Sequence, residues 1–330
     1  MAHTHGPKTR ATRSHSHMWL IGLVGIVAGA VLMIYVPSLK AVSASLLLFA
    51  GFHIVGGIVL LASFYVMALR GWIRRLHAAR PAVSGRGKLD FGWGPGWMNG
   101  LAVAALATFA AAVAVQVAWP AWWPLTFLLV FQGALFLVGN AVMSSFRHRD
   151  YMVLPMVDLM RHGQGRVLDA GCGAGRTTIA LSRILADGRV TAVDRFDADY
   201  IDDGGRALLE RNLAIAGLTE RVDILTADLT ALPLDDASID AAVSTNVFDH
   251  LGAGKRQALA EIRRVLRPGG RFLMAVWVPG LTMFAVASVL SLALTSRRRW
   301  RELAEGAGLK VVDEGVFNHV WFVVLEKPAT

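Results

Sequence analysis

Val167–Thr178 reads VLDAGCGAGRTT. An apolar run ends in Asp169, glycines follow at Gly171, Gly173 and Gly175, and two threonines open a stretch with helical spacing. Glycine lets a backbone turn through positive φ and approach a ligand with no Cβ in the way. The G-x-G-x-G spacing differs from the G-x-G-x-x-G dinucleotide fingerprint. Strand, glycine loop and helix in this order make the first unit of a parallel sheet. The loop falls where such sheets bind ligands, beyond the carboxyl ends of the strands.

Toward the C terminus, short β-branched runs alternate with helical ones, which predicts an α/β fold with a doubly wound sheet. Strands are expected at Arg166–Ala170, Arg189–Val193, Val222–Leu225, Ile239–Ser244, Arg271–Val278, Lys310–Val316 and Val320–Glu326. Helices are expected at Arg176–Ala186, Gly205–Ala216 and Lys255–Leu266, with a further one at Tyr151–Arg161 leading into the first strand. Pro268-Gly269-Gly270 reads as the turn into the fifth strand. The second strand ends in Asp194, nineteen residues after Gly175, where a carboxylate can accept hydrogen bonds from both hydroxyls of a ribose. The third ends at Asp228, placed to receive an adenine amino group. Each acid has a plainer reading as a helix N-cap or turn residue. Cys172, the single cysteine, reads as a small packed residue and excludes an internal disulfide. Asp197, Asp199, Asp202 and Asp203 read as a solvated acidic turn rather than a metal site.

Residues 166–278 resemble the S-adenosylmethionine (SAM)-binding core of class I SAM-dependent methyltransferases. The resemblance is carried by VLDAGCGAG, VTAVD ending in Asp194, ILTADLTALPLDDASIDAAVS and LRPGGRFLMAVW, and EGAGLKVV with FNHVWFVVLEKP resembles that family's closing β-hairpin. It implies a seven-stranded Rossmann-like sheet of order 3-2-1-4-5-7-6, with strand seven antiparallel, and SAM as cofactor. Asp169 would then hold the methionine ammonium, directly or through water. Gly171, Gly173 and Gly175 would line the methionine and ribose, Asp194 would bind the ribose, and Asp228 with the backbone of Leu229 would hold the adenine. The loop Ser244–His250 faces the methyl acceptor in that family. Within that loop His250 is a candidate base, and Asp249 either orients it or acts itself; alternatively both only shape the pocket.

Toward the N terminus the composition changes. The chain of 330 residues is 55% hydrophobic and 17% charged, with a mean hydropathy of +0.49, too apolar for an ordinary soluble protein. Met18–Val36, Ala44–Leu69, Asn99–Ala118 and Leu125–Met143 are long enough to span a bilayer and carry no Asp, Glu, Lys or Arg. This gives a basic, His-rich tail (1–17), an all-α four-helix transmembrane domain (18–146) and a methyltransferase domain (147–330). Lys8, Arg10 and Arg13, then Arg70, Arg74, Arg75, Arg80, Arg86 and Lys88, then Arg147 and Arg149 flank the spans on one side. The opposite side has Lys40 and the uncharged Trp119–Pro124. The positive-inside rule makes both termini cytoplasmic in a multi-pass integral membrane protein. The net charge of +9 gathers beside the spans, which favours the bilayer as partner and argues against nucleic acid.

Two segments stay open to alternatives. Gly85–Gly100, with Trp93 and Trp97, is an interfacial loop or a lid over the site. Leu281–Thr295 is a helix buried against the sheet or an interfacial helix admitting an apolar acceptor, with Arg297–Arg299 at the headgroups. The function expected from all this is methyl transfer from SAM to a lipid-like or other apolar small molecule. A SAM-sensing membrane protein without catalysis is an alternative. Aminopropyl transfer is another, disfavoured because Asp169 suits a donor that keeps its ammonium. Reporter fusions at Thr330 and within Trp119–Pro124 should report opposite sides of the membrane; a non-cytoplasmic signal from Thr330 overturns the topology.

Overall fold

The computed structural model describes residues 16–39, 43, 44, 47, 51, 89–92, 95–145, 165–185, 187–197 and 205–329. Its contacts divide the chain into two units, Met1–Leu60 and Leu61–Thr330. The first contains helix α1 (Ser16–Tyr35), 20 residues long, and a 3-10 turn at Pro37–Leu39. The expected span Ala44–Leu69, the helix Tyr151–Arg161 and the histidine-bearing start of the tail lie wholly or almost wholly outside the described residues.

The second unit opens with α2 (Pro95–Ala118) and α3 (Trp123–Ser145). Asn99–Ala118 and Pro120–Ser145 are long and apolar enough to cross a membrane, yet only 17% and 22% of them is buried. A core helix of the same composition would be mostly covered. Here Val103, Leu106, Val113, Val117, Phe127 and Val138 are exposed.

There follow β1 (Arg166–Ala170), α4 (Arg176–Ile184), β2 (Arg189–Asp194), α5 (Arg206–Ala216), β3 (Val222–Thr226), β4 (Ile239–Thr245), α6 (Lys255–Val265) and β5 (Leu266–Val276). α7 (Leu281–Ala287), α8 (Arg297–Gly306), β6 (Lys310–Phe317) and β7 (Val320–Glu326) complete the chain. The sheet order is β3-β2-β1-β4-β5-β7-β6, parallel except for β7, which is antiparallel to β5 and β6. Successive side chains of a strand point to opposite faces. Val167, Ala192, Val243 and Leu273 therefore join Ile179, Leu209 and Leu213 of α4 and α5 in one core. Leu168, Val193, Ala242 and Met274 join Leu259, Ile262 and Trp300 of α6 and α8 in the other. Burial on both faces is why these strands are nearly continuous apolar runs.

Two expectations are corrected. The fifth strand begins at Leu266, directly after α6, and not at Arg271. Leu266 pairs with Ile239 and Arg271 with Ala241, so Arg267–Gly270 bulge out, with Gly269 at φ +75°; the Gly269 amide donates to the Lys327 carbonyl at 2.8 Å, and the Lys327 amide donates to the Gly270 carbonyl at 2.9 Å. Leu281–Thr295 is not one helix. It is α7 followed by 3-10 turns at Ser288–Ala293, and α7 packs on α3. A Cβ added to Gly139 would lie 2.5 Å from the carbonyl oxygen of Ala285 and 3.1 Å from Leu101 of α2, the close backbone approach that small residues permit between helices. Met143 of α3 belongs to the same core as β1 and β5, which carries the helix pair onto the sheet.

Gly139→Ala should therefore destabilise the full chain by about 1–3 kcal/mol through overpacking against backbone. Gly306→Ala, with nothing within 4 Å, should be neutral or mildly stabilising. Thermal unfolding in detergent compares them, and equal midpoints would contradict the α3–α7 contact.

Candidate functional site

The site forms where β1, β2 and β4 end. After Ala170 the chain leaves the central strand in a sharp turn that continues the sheet pairing for two residues: the amides of Gly171 and Cys172 donate to the Val193 carbonyl at 2.7 and 3.1 Å. Gly171 and Gly175 have φ of +85° and +88°, and a Cβ on either would collide, with Val247 and Leu209 respectively. Gly173 also has positive φ, and its amide donates to Asp194 Oδ2 at 2.9 Å. The other Asp194 oxygen accepts from the Phe196 amide at 2.8 Å. A carboxylate has about four acceptor positions, so Asp194 shapes the loop and keeps capacity for a ligand.

Asp169 has no exposed surface. Its Oδ2 accepts from the Thr178 hydroxyl at 2.6 Å, while its buried Oδ1 has no hydrogen-bond partner. Burial raises its pKa to about 7, the Thr178 hydrogen bonds oppose this, and the Asp194 charge adds to it. An ionised carboxylate needs a cation or donors when taken from water, so the unpartnered oxygen marks a place for a positive group. That oxygen and the glycine cradle fit an amino-acid ammonium and the chain behind it, as SAM carries. Burial, with Asp169 and Asp194 nearby, pushes the Cys172 thiol well above its ordinary value, which suits a packed residue and not a nucleophile.

Asp228 lies past the end of β3. Its Oδ1 accepts from the amide and hydroxyl of Thr230 at 2.8 and 2.7 Å, and its Oδ2 is 3.5 Å from Arg195. The Thr230 hydrogen bonds hold its carboxyl below the usual range. It does the turn work that the plainer reading assigns; Leu229 beside it is buried.

Past β4, Asn246 takes a left-handed φ of 57°, which asparagine tolerates better than most residues. It turns the chain into the 3-10 segment Phe248–His250. The structure brings Asp249 and His250 together, Oδ2 to Nε2 at 3.8 Å, but in unlike surroundings, with side-chain exposures of 3% and 70%. Asp249 Oδ1 is buried and unpartnered. Burial pushes the Asp249 carboxyl up, against the charges of His250 and Lys255. Lys255 is half-buried and donates to Thr295 at 3.0 Å.

The sequence reading missed several contributors. Thr177 of α4 and Thr245 of β4 share a hydrogen bond of 2.7 Å, and Ser244 donates to the Ala170 carbonyl at 2.6 Å, so the end of β4 is tied both to the start of α4 and to the end of β1. The adjacent threonines after the glycine loop were the available signal. Asn212, which bonds the loop carbonyl of Ala174 at 2.8 Å, had none, because a polar residue in a helix ordinarily reads as exposed. Among the described residues no group of three or more His, Cys, Asp or Glu is arranged to hold a metal; Asp199, Asp202 and Asp203 lie outside those residues.

The chain is similar to several known proteins. Residues 168–274 match the family described as "Methyltransferase domain". The "Probable S-adenosylmethionine-dependent methyltransferase" of Mycolicibacterium smegmatis is 34% identical over 168 residues, 46% of this chain and 55% of that protein. The O-methyltransferase cnsE of Penicillium expansum is 34% identical over 153 residues, 44% of this chain and 52% of that protein. The chain thus spans about half the length of these curated relatives. A SAM-dependent methyltransferase from Aquifex aeolicus of known structure is 21% identical, with a TM-score of 0.46, covering 58% of this chain and 98% of that one.

Thr178→Val should move the Asp169 titration midpoint upward from about 7, because a hydrogen bond donated to the ionised form favours that form. Carboxyl carbon NMR of the full chain reads the midpoint, and no movement would contradict the Thr178–Asp169 contact.

Proposed function

We propose that this chain is a membrane-anchored methyltransferase that moves the methyl group of SAM to a lipid-like or other apolar small molecule. The observation that carries the reading is the packing of α7 on α3. α7 follows β5, on the acceptor side of the site, and rests on a helix whose apolar surface is mostly uncovered. An acceptor dissolved in a bilayer would approach this part of the protein along that helix. The segment Leu281–Thr295 then serves as the interfacial wall of the acceptor pocket, and Arg297–Arg299 lie within reach of anionic headgroups, at about 1 kcal/mol each near such a surface. The flanking charges support a multi-pass arrangement with cytoplasmic termini, on the side where SAM is available.

SAM, when bound, supplies a methyl group already activated on sulfur. The protein's part is therefore mainly alignment, which can contribute several kcal/mol of the barrier. Asp169 takes the ammonium on its unpartnered oxygen, Asp194 the ribose hydroxyls, and Asp228 with the Leu229 backbone the adenine. Asp249 is the candidate base: it is buried, its proton affinity is raised, and one oxygen has no partner. His250, exposed beside it, takes up the proton and passes it to water.

The sign of the pH dependence follows from Asp169. With its pKa raised to about 7, the neutral acid prevails below that pH and the ammonium binds only as the proton leaves, so affinity for SAM rises with pH. Calorimetry from about pH 6 to 8 should show this rise, and Asp169→Asn should weaken binding and flatten the profile. In parallel, the full chain is incubated with methyl-labelled SAM and a membrane lipid extract. Label in the lipid fraction is expected. SAM binding with no label transferred would overturn the catalytic reading in favour of a sensor, and labelling confined to water-soluble products would overturn the acceptor class.

A further inference from the structure

Leu89–Gly92, just ahead of α2, is fastened to the glycine-rich loop through Asn212, which lies 122 residues from Asp90 in the chain. The Asp90 amide donates to Asn212 Oδ1 at 3.0 Å. Asn212 Nδ2 donates in return to the Asp90 carbonyl at 2.7 Å and to the Ala174 carbonyl at 2.8 Å. Asn212 is fully buried, so one carboxamide uses its acceptor and both donors to join two backbones in the interior. The Gly92 amide donates to Asp90 Oδ1 at 2.9 Å, closing a tight turn. The Phe91 ring lies 5.1 Å from the guanidinium carbon of Arg176, the first residue of α4, and Leu89 and Phe91 pack on the core that holds Cys172 and Leu209.

These contacts grip the loop opposite its other support. Ala174 stands between Gly173, whose amide Asp194 holds, and Gly175, whose cradle is bounded by Leu209 on the same helix as Asn212. We propose that Leu89–Gly92 is a strap that completes the SAM site, with Asn212 as its positioning residue. The helix pair α2–α3 then belongs to the cofactor site as well as to the anchor. This rests on SAM being the ligand of the loop, as proposed above. Because the strap and the ligand share the loop, ordering one favours the other, and the coupling is reciprocal.

The test uses the full chain in detergent, with SAM affinity measured by calorimetry. Asn212→Ala should raise the SAM Kd about tenfold or more, through the loss of buried hydrogen bonds. Phe91→Ala should raise it about threefold through the loss of the cation–π contact, and Phe91→Tyr, which keeps the ring, should stay within about twofold of the unaltered protein. Saturating SAM should slow amide exchange in the peptide covering residues 89–92, a response that a merely structural clip would not give. If Asn212→Ala fails to fold, the Phe91 pair decides. An unchanged Kd in Phe91→Ala, or exchange at 89–92 indifferent to SAM, overturns the strap while leaving the ligand assignment standing. Failure of the unaltered protein to bind SAM overturns the ligand assignment and the strap with it.

Discussion

A carboxylate with no exposed surface stands at the carboxyl end of the central strand, and the arrangement around it answers that constraint. Removing a charge from water is costly unless donors or cations replace the water. Thr178 reaches one oxygen of Asp169 from the next helix, which fixes where α4 must start. The glycine loop between them is short, so it must pass through positive φ at three residues. Asp194, one strand over, holds the middle amide of that loop. The second oxygen of Asp169 is buried and has no hydrogen-bond partner. The shape of the site is thus the shape of a strand end around a half-satisfied acid.

The same reasoning separates the two acceptor-side candidates. Asp249 and His250 are neighbours in one 3-10 turn, yet one faces the interior and the other solvent. Burial raises the proton affinity of the Asp249 carboxyl, against the charges of His250 and Lys255.

The helix pair is joined to the sheet by small residues and by core. Gly139 admits the backbone of α7, and Met143 enters the core beneath β1 and β5. Such joints leave little room for independent movement, because packed interiors deform in steps rather than continuously. The apolar surface of α2 and α3 and the glycine loop therefore lie within the one unit Leu61–Thr330.

The sequence by itself determined the strands, because a sheet buried on both faces demands β-branched runs that are visible locally. It also located the loop at their ends: Asp169, the three glycines and Asp194 are legible in the chain, and the structure brings them together, with Asp194 accepting from the Gly173 amide. It located the apolar spans by length alone, two of which fall in helices long and apolar enough to cross a membrane. The tertiary structure alone decided what touches what across distance. That the fifth strand starts at Leu266 depends on pairing with Ile239. That Leu281–Ala287 meets α3 depends on a glycine more than a hundred residues earlier. Asn212 could not be read from its neighbours, since its three hydrogen bonds go to backbone at Asp90 and Ala174. Periodicity records which side of an element is buried, and it does not record against which element, because that is fixed only when the sheet order brings distant segments together.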